Sequence, residues 1–307
     1  MADTFQQLVG EVRLYAPGTP LPLAQKFVRD AYRRTTSRFS WAGQRAESAF
    51  VVPAPYITGT VSVTQNNASV TGASTVWTSA MVGRQLVVSG RAPFYTIATF
   101  VSTTSITLDR VYAGTTGSDK TYEIVQVYMI APSDLIRLDS VLDPDNWLRL
   151  RLNWTQEQLD SIDPERSNTS AGPTPRAVAA ASFSSTGVPR YELWPRPTGA
   201  KSYPVRYTKR LADLSANSDT PIEQIRGDVL RYGALAQLAL WPGTAESPNP
   251  FHSLDLHKEY ETLFQREIDY LERLDQEIRM DSLSYDDGPS PPFFPIDARF
   301  MQSHAPY

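Results

Sequence analysis

The chain has 307 residues, 41% of them hydrophobic and 20% charged, a composition typical of a soluble globular protein with one large domain or two ordinary ones. It has no cysteine, which excludes a disulfide framework and a thiolate metal site, and its net charge of −4 argues against a protein whose main task is gripping nucleic acid. The opening Met-Ala-Asp-Thr-Phe has no basic or apolar leader pattern, and no apolar run approaches the ~20 residues that span a bilayer, so we expect a soluble chain without cleavable signal or membrane anchor.

Phe5, Leu8, Val9 and Val12 recur at helical spacing over residues 4–15, which end before Pro17-Gly18. A second helix is expected after Pro20-Leu21-Pro22, with Leu23, Phe27, Ala31 and Tyr32 inward and Arg29, Arg33 and Arg34 outward. Ala49 to Val52 then turns the chain toward strand. From Thr58 to Gln126 the sequence becomes rich in Thr, Ser and Val, poor in charge and punctuated by Gly. Strict alternation at Thr60 to Thr64 marks a strand, and residues 68–71, 85–88, 94–101, 105–108 and 121–125 read as others. Short strands this close, with no helical period between them, predict a small closed or sandwiched β domain inserted in a helical one.

Beyond the insert, Pro132-Ser133-Asp134 predicts a helix start before Leu135, Ile136 and Leu138. Residues 155–162 carry a short helical signal, and Ala177 to Phe183 reads as a strand paired with 190–194. Pro195, Pro197 and Thr198-Gly199 form a turn into a second segment, where Tyr203, Val205 and Tyr207 alternate. Pro221 is expected as the first residue of the next helix, because its missing N–H would have no partner there. That helix carries Ile225, Val229, Leu235 and Leu238 for burial, with Gly233, Ala234, Ala236 and Ala239 permitting close approach of a neighbour. A long amphipathic helix from Ser253 to about Met280 aligns Tyr260, Leu263, Phe264, Ile268, Leu271, Leu274 and Ile278. The remaining segment is acidic, then proline-rich, then aromatic, without a period; its Pro-Ser-Pro-Pro run at 289–292 favours an extended backbone.

No residue pattern in the chain points to a catalytic, cofactor-binding or metal residue. Asp139, Asp143 and Asp145 lack the central Gly and distal Glu of a calcium loop, and turns around Pro144 explain them better. His252 and His257 lie five apart, off the spacing that puts two imidazoles on one helix face, and His304 is in the tail. Neither a nucleophile elbow nor a glycine-rich phosphate loop occurs. No enzyme and no cofactor is expected. Arg29, Arg33, Arg34 and Arg38 form the densest basic stripe; a solvated helix face is the preferred reading over nucleic-acid contact. Trp41, Trp147, Trp154, Trp194 and Trp241 read as core or contact anchors, whereas Trp77 lies in a Thr/Ser-rich β module whose faces would suit carbohydrate.

Three segments recur in a recognisable order: Leu193-Trp194-Pro195-Arg196-Pro197, Asn217-Ser218-Asp219-Thr220-Pro221 and Tyr232-Gly233-Ala234-Leu235-Ala236. Their order resembles the head-to-tail adaptor (connector) proteins of tailed bacteriophages, over roughly residues 1–50 and 127–280. The Thr60-to-Trp77 stretch is similar to small β domains that decorate phage structural proteins. The resemblance implies an α+β fold: a helical-bundle core with a small antiparallel sheet, an inserted all-β barrel- or sandwich-like domain, and an extended C-terminal arm. The corresponding divisions are 1–55 and 128–281 for the core, 56–127 for the insert and 282–307 for the tail.

The function implied is a virion ring between portal and tail, made in the host cytoplasm and placed at the head–tail junction. Its partners would be further copies of itself (a dodecamer), the portal protein, a tail or nozzle protein, and DNA only in transit. Pro291, Phe293, Phe294, Ile296, Phe300 and Tyr307 would dock the tail on the portal. Gly233, Ala234, Ala236, Phe264 and Leu271 would serve helix packing or subunit contact, and Arg29, Arg33 and Arg34 would meet an acidic neighbour. The alternative is a carbohydrate- or receptor-binding tail protein that uses the insert around Trp77.

Overall fold

The computed structural model describes residues 3–90, 93–164, 166, 174–184 and 187–283. The fold is mixed α+β. Two helices, α1 (Phe5–Tyr15) and α2 (Leu21–Arg38), precede a long run of strands that is broken once by α3 (Gln156–Ile162). The helices α4 (Gly227–Leu240) and α5 (Leu254–Leu283) follow. The chain divides into two compact units, Met1–Ala46 with Thr208–Tyr307, and Glu47–Tyr207.

In the first unit α1, α2, α4 and α5 share one apolar core. Phe5, Leu8 and Val12 of α1 meet Val28 and Ala31 of α2, Val229 and Ala234 of α4, and Phe264, Ile268 and Leu271 of α5. Each of the larger of these side chains (Phe, Leu, Ile and Val), taken from water, contributes about 1.5–3 kcal/mol. The start of α1 is fixed locally: the Thr4 hydroxyl accepts from the Gln7 amide at 3.3 Å, and the Gln7 side chain accepts from the Thr4 amide at 2.8 Å. Trp41, fully buried, closes the core and donates from Nε1 to the Thr35 carbonyl at 3.0 Å. One expectation fails here. The fourth helix starts at Gly227 and not at Pro221, because residues 221–226 form a turn, closed from the Ile225 amide to the Ile222 carbonyl at 2.9 Å. That turn delivers Ile225 to the core, 4% exposed, from a non-helical backbone.

The second unit is built from strands. In chain order they are β1 (Arg45–Val52), β2 (Thr60–Val63), β3 (Ser69–Ala73), β4 (Gln85–Val88), β5 (Tyr95–Ser102), β6 (Ser105–Leu108), β7 (Gly117–Lys120) and β8 (Tyr122–Val125). There follow β9 (Tyr128–Ile130), β10 (Leu135–Asp143), β11 (Leu148–Arg149), β12 (Arg151–Thr155), β13 (Ala177–Phe183), β14 (Pro189–Trp194) and β15 (Lys201–Lys209). The insert is one antiparallel sheet, β7-β2-β3-β6-β5-β4-β8, curled into half a barrel over Val61, Trp77, Leu86, Ile97, Ile106 and Ile124. The closed or sandwiched domain expected from sequence is thus a single curled sheet. Its edges, β7 and β8, are separated only by Thr121, and β7 was not anticipated because Gly117-Ser118-Asp119-Lys120 carries no apolar alternation.

Two four-stranded sheets complete this unit, β1-β15-β10-β11 and β12-β13-β14-β9. The buried Gln85 accepts from the amides of Val127 and Tyr128 at 2.9 and 3.4 Å and donates to the Gly83 carbonyl at 2.9 Å, tying β4 to the chain that leads into β9. The helix expected from Leu135 is instead the strand β10. A short apolar run fits either period, and hydrogen bonding to β15 and β11 decides it, with Val141 fully buried.

Candidate functional site

In the helical unit the segments singled out from sequence turn out to be structural joints. The Asp219 carboxylate accepts from the amides of Ser215 and Ala216, both at 2.7 Å, and these bonds hold it below the usual carboxylate range. The loop so folded presents the Asp219 and Asn217 carbonyls to the Phe5 and Gln6 amides at 2.7 and 3.1 Å. Those are first-turn donors that α1 cannot satisfy itself. In α4, a Cβ on Gly233 would lie 2.7 Å from the Phe264 ring and 3.0 Å from Ala31, so only glycine allows α2, α4 and α5 this approach. Ala234 and Ala236 are fully buried and Phe264 and Leu271 nearly so. Of these five, the contacts seen for Gly233, Ala234, Phe264 and Leu271 lie within the chain's own helical core.

The basic stripe of α2 is answered within the same unit. Arg33 makes a two-pronged pair with Asp213 at 2.8 and 2.6 Å, and that pair draws the Asp213 carboxyl down. Arg34 bonds Glu261 at 2.6 Å and lies 4.8 Å from the Phe264 ring centre. Arg38 reaches Asp269 and Glu272, and Arg29 bonds the Gln25 carbonyl at 3.3 Å while lying over Phe5. His252 and His257 bond the carbonyls of Ala239 and Ala236 at 3.1 and 2.9 Å, so both serve the end of α4.

A different arrangement occupies the β12-β13-β14 sheet. Parallel pairing sets Arg151 opposite Ala177, and antiparallel pairing sets Ala177 opposite Trp194, so these three lie in one row. The Arg176 carbonyl accepts from the Arg151 amide at 2.9 Å, and its amide donates to the Trp194 carbonyl at 2.8 Å. Trp154 and Trp194 stack with ring centres 5.8 Å apart and planes 18° from parallel. Together with Leu148, Arg149, Arg151, Arg176 and Ala177 they line a pocket of about 540 Å³. Arg149 is held by the Asp139 carbonyl at 2.9 Å. Arg151 and Arg176 are exposed, and neither guanidinium has a partner among the described residues.

Beneath this row the charges are satisfied. Arg166 bonds Glu192 at 2.7 Å, both nearly buried, and also Asp160 at 2.7 Å, while Gln156 donates to Glu192 at 3.1 Å. Trp194 donates from Nε1 to Asp163 at 3.2 Å. Beside it, the Leu193-to-Pro197 segment supplies Trp194, a cis Trp194–Pro195 bond and Arg196, which pairs with Glu123 at 2.6 Å.

Trp77 does not form a carbohydrate platform. It is fully buried in the half-barrel, donating to the Tyr122 hydroxyl at 3.0 Å, and burial pushes that phenol up to about 12. Of the three aspartates read as turn elements, Asp145 lies in the turn and Asp143 ends β10 beside it, whereas Asp139 lies within β10. Asp143 is fully buried and accepts from Lys201 at 2.5 Å and from the Asn146 side chain at 2.8 Å. Burial alone would raise its carboxyl, but the bonds from Lys201 and Asn146 hold it below its ordinary value. Among the described residues no three His, Asp or Glu side chains are grouped to hold a metal, and no helix is long and apolar enough to cross a membrane. Pro291, Phe293, Phe294, Ile296, Phe300 and Tyr307, together with His304, lie outside the described residues.

The pocket arginines were not singled out from sequence: Leu148-Arg149-Leu150-Arg151-Leu152 alternates like a single strand, but Arg149 ends β11 and Arg151 opens β12, in separate sheets. No curated protein compared with the chain matches it. The family model described as SU10 adaptor protein matches residues 3–285, nearly the whole length, and the chain belongs to that family of bacteriophage structural adaptors.

Proposed function

We propose that this adaptor forms a closed homo-oligomeric ring between the portal and the tail and leaves a passage through which DNA travels. The observation that carries the reading is the family match over residues 3–285, which takes in both the helical unit and the sheets. Within the helical unit, the loop, the small-residue helix and the long helix pack and hydrogen-bond with one another, which supports a frame of that kind. A net charge of −4 suits a conduit that DNA must traverse without sticking. Heterologous contacts that close by rotation give such a ring its symmetry. A helical-bundle core, an autonomous insert over 56–127, and an arm from residue 282 whose aromatic end docks on the portal belong to the same proposal.

Negative-stain images of the purified chain mixed with portal test it. Closed rings stacked coaxially on portal are expected. Single subunits beside bare portals would refute the ring between portal and tail.

A further inference from the structure

We propose that the Trp154–Trp194 pocket receives the acidic, proline-rich segment Asp286–Pro292 of a second copy of this chain. Two features of the pocket call for a ligand of that chemistry. Arg151 and Arg176 stand exposed with no partner among the described residues, in a chain whose α2 arginines are matched internally. A guanidinium pairs most strongly with a carboxylate, which it grips with two parallel N–H bonds. Next to them lie two half-buried, stacked indoles, and the Trp154 Nε1 donor has no partner among the described residues. Aromatic-lined grooves take proline-rich segments, whose preformed extended helix loses little entropy on docking.

The chain carries the complement itself. Asp286-Asp287-Gly288-Pro289-Ser290-Pro291-Pro292 sets two carboxylates ahead of three prolines. A polyproline helix has three residues per turn, so a segment docked in that form would set Pro289 and Pro292 on one edge against the indoles and bring the aspartates to the arginines. Groove and segment are different parts of the chain, so each copy offers both, and the contact runs head to tail. The aromatic residues beyond Pro292 stay free for another partner, and the inference holds whether or not a portal is present.

Sedimentation velocity at low salt on full-length variants tests it. Arg151→Glu with Arg176→Glu disables the pocket, and Asp286→Arg with Asp287→Arg disables the segment; unchanged circular-dichroism melts verify that both fold. Wild type should self-associate, each variant alone should do so at least tenfold more weakly, and mixing the two should recover association. A chain carrying all four reversals should also re-associate. A monomeric wild type, meaning a segment docked within its own chain, would overturn the proposal, as would association indifferent to both variants or no recovery on mixing. A fluorescent single-stranded oligonucleotide that binds wild type and the segment variant alike, but not the pocket variant, would make the pocket a nucleic-acid site and overturn it too.

Discussion

Two sets of arginines face outward from this adaptor, one along α2 and one on the β12-β13-β14 sheet, and their surroundings differ. Arg33, Arg34 and Arg38 each meet a carboxylate from Asp213 or from α5, so their charge is used to tie α2 to its own unit. Arg151 and Arg176 meet none among the described residues, and they sit beside stacked tryptophans. Tryptophan and arginine are the residues that dominate binding energy at protein interfaces. Density of charge along the sequence picks out the α2 set, whose cations folding has matched. The proposed contact rests on the set that has no anion among the described residues.

The largest expected effect lies in the core of the helical unit, the frame to which the α2 arginines are tied. Phe264→Ala removes a ring packed against Gly233 and lying under Arg34, and should cost ~3–5 kcal/mol in urea unfolding. A loss below ~1 kcal/mol would mean that the four helices do not share one core. Ala234→Leu should overpack the α4 face by ~1–3 kcal/mol. If it melts like wild type, the small-residue face is open to solvent and its role is contact after all.

Acid should sharpen the contrast. The bond from Arg33 holds Asp213 low; burial would raise Glu261, but Arg34 and Gln265 hold it low as well. Carboxylates depressed in the fold contribute stability that is complete above their unfolded values and lost as pH falls through the folded ones. Melting temperature should thus drop from pH 5 towards pH 3, and drop less steeply in the Arg33→Ala, Arg34→Ala double variant. An identical slope would show that these pairs are not formed. Smallest of all is the effect of Arg151→Ala with Arg176→Ala, which should leave the melt of the isolated subunit unchanged, since neither guanidinium bonds any of the described residues.

Much of the frame was legible in the sequence. The 3.6-residue recurrence of Phe5, Leu8 and Val12 and the long stripe through Phe264 and Leu271 set α1 and α5 within one to three residues, and sequence pattern located six of the insert's seven strands. Where two periods fit equally, at Leu135 to Leu138, tertiary pairing decided for strand. Trp77 read as a surface platform because Thr and Ser surround it in sequence, yet curling of the sheet puts it at the centre. The pocket was hidden for a topological reason: Arg151, Arg176 and Trp194 come from three segments, and the row forms only once β12 pairs in parallel with β13.

The most direct test is arginine footprinting with phenylglyoxal, read by mass spectrometry residue by residue, on the subunit and on its assembled form. Arg151 and Arg176 should react fastest in the isolated subunit and become protected on assembly, while Arg33 and Arg34, each already holding a carboxylate, should react slowly in both states. Fast modification of Arg33 and Arg34 in the subunit, with Arg151 and Arg176 equally reactive before and after assembly, would contradict the assignment of the two sets.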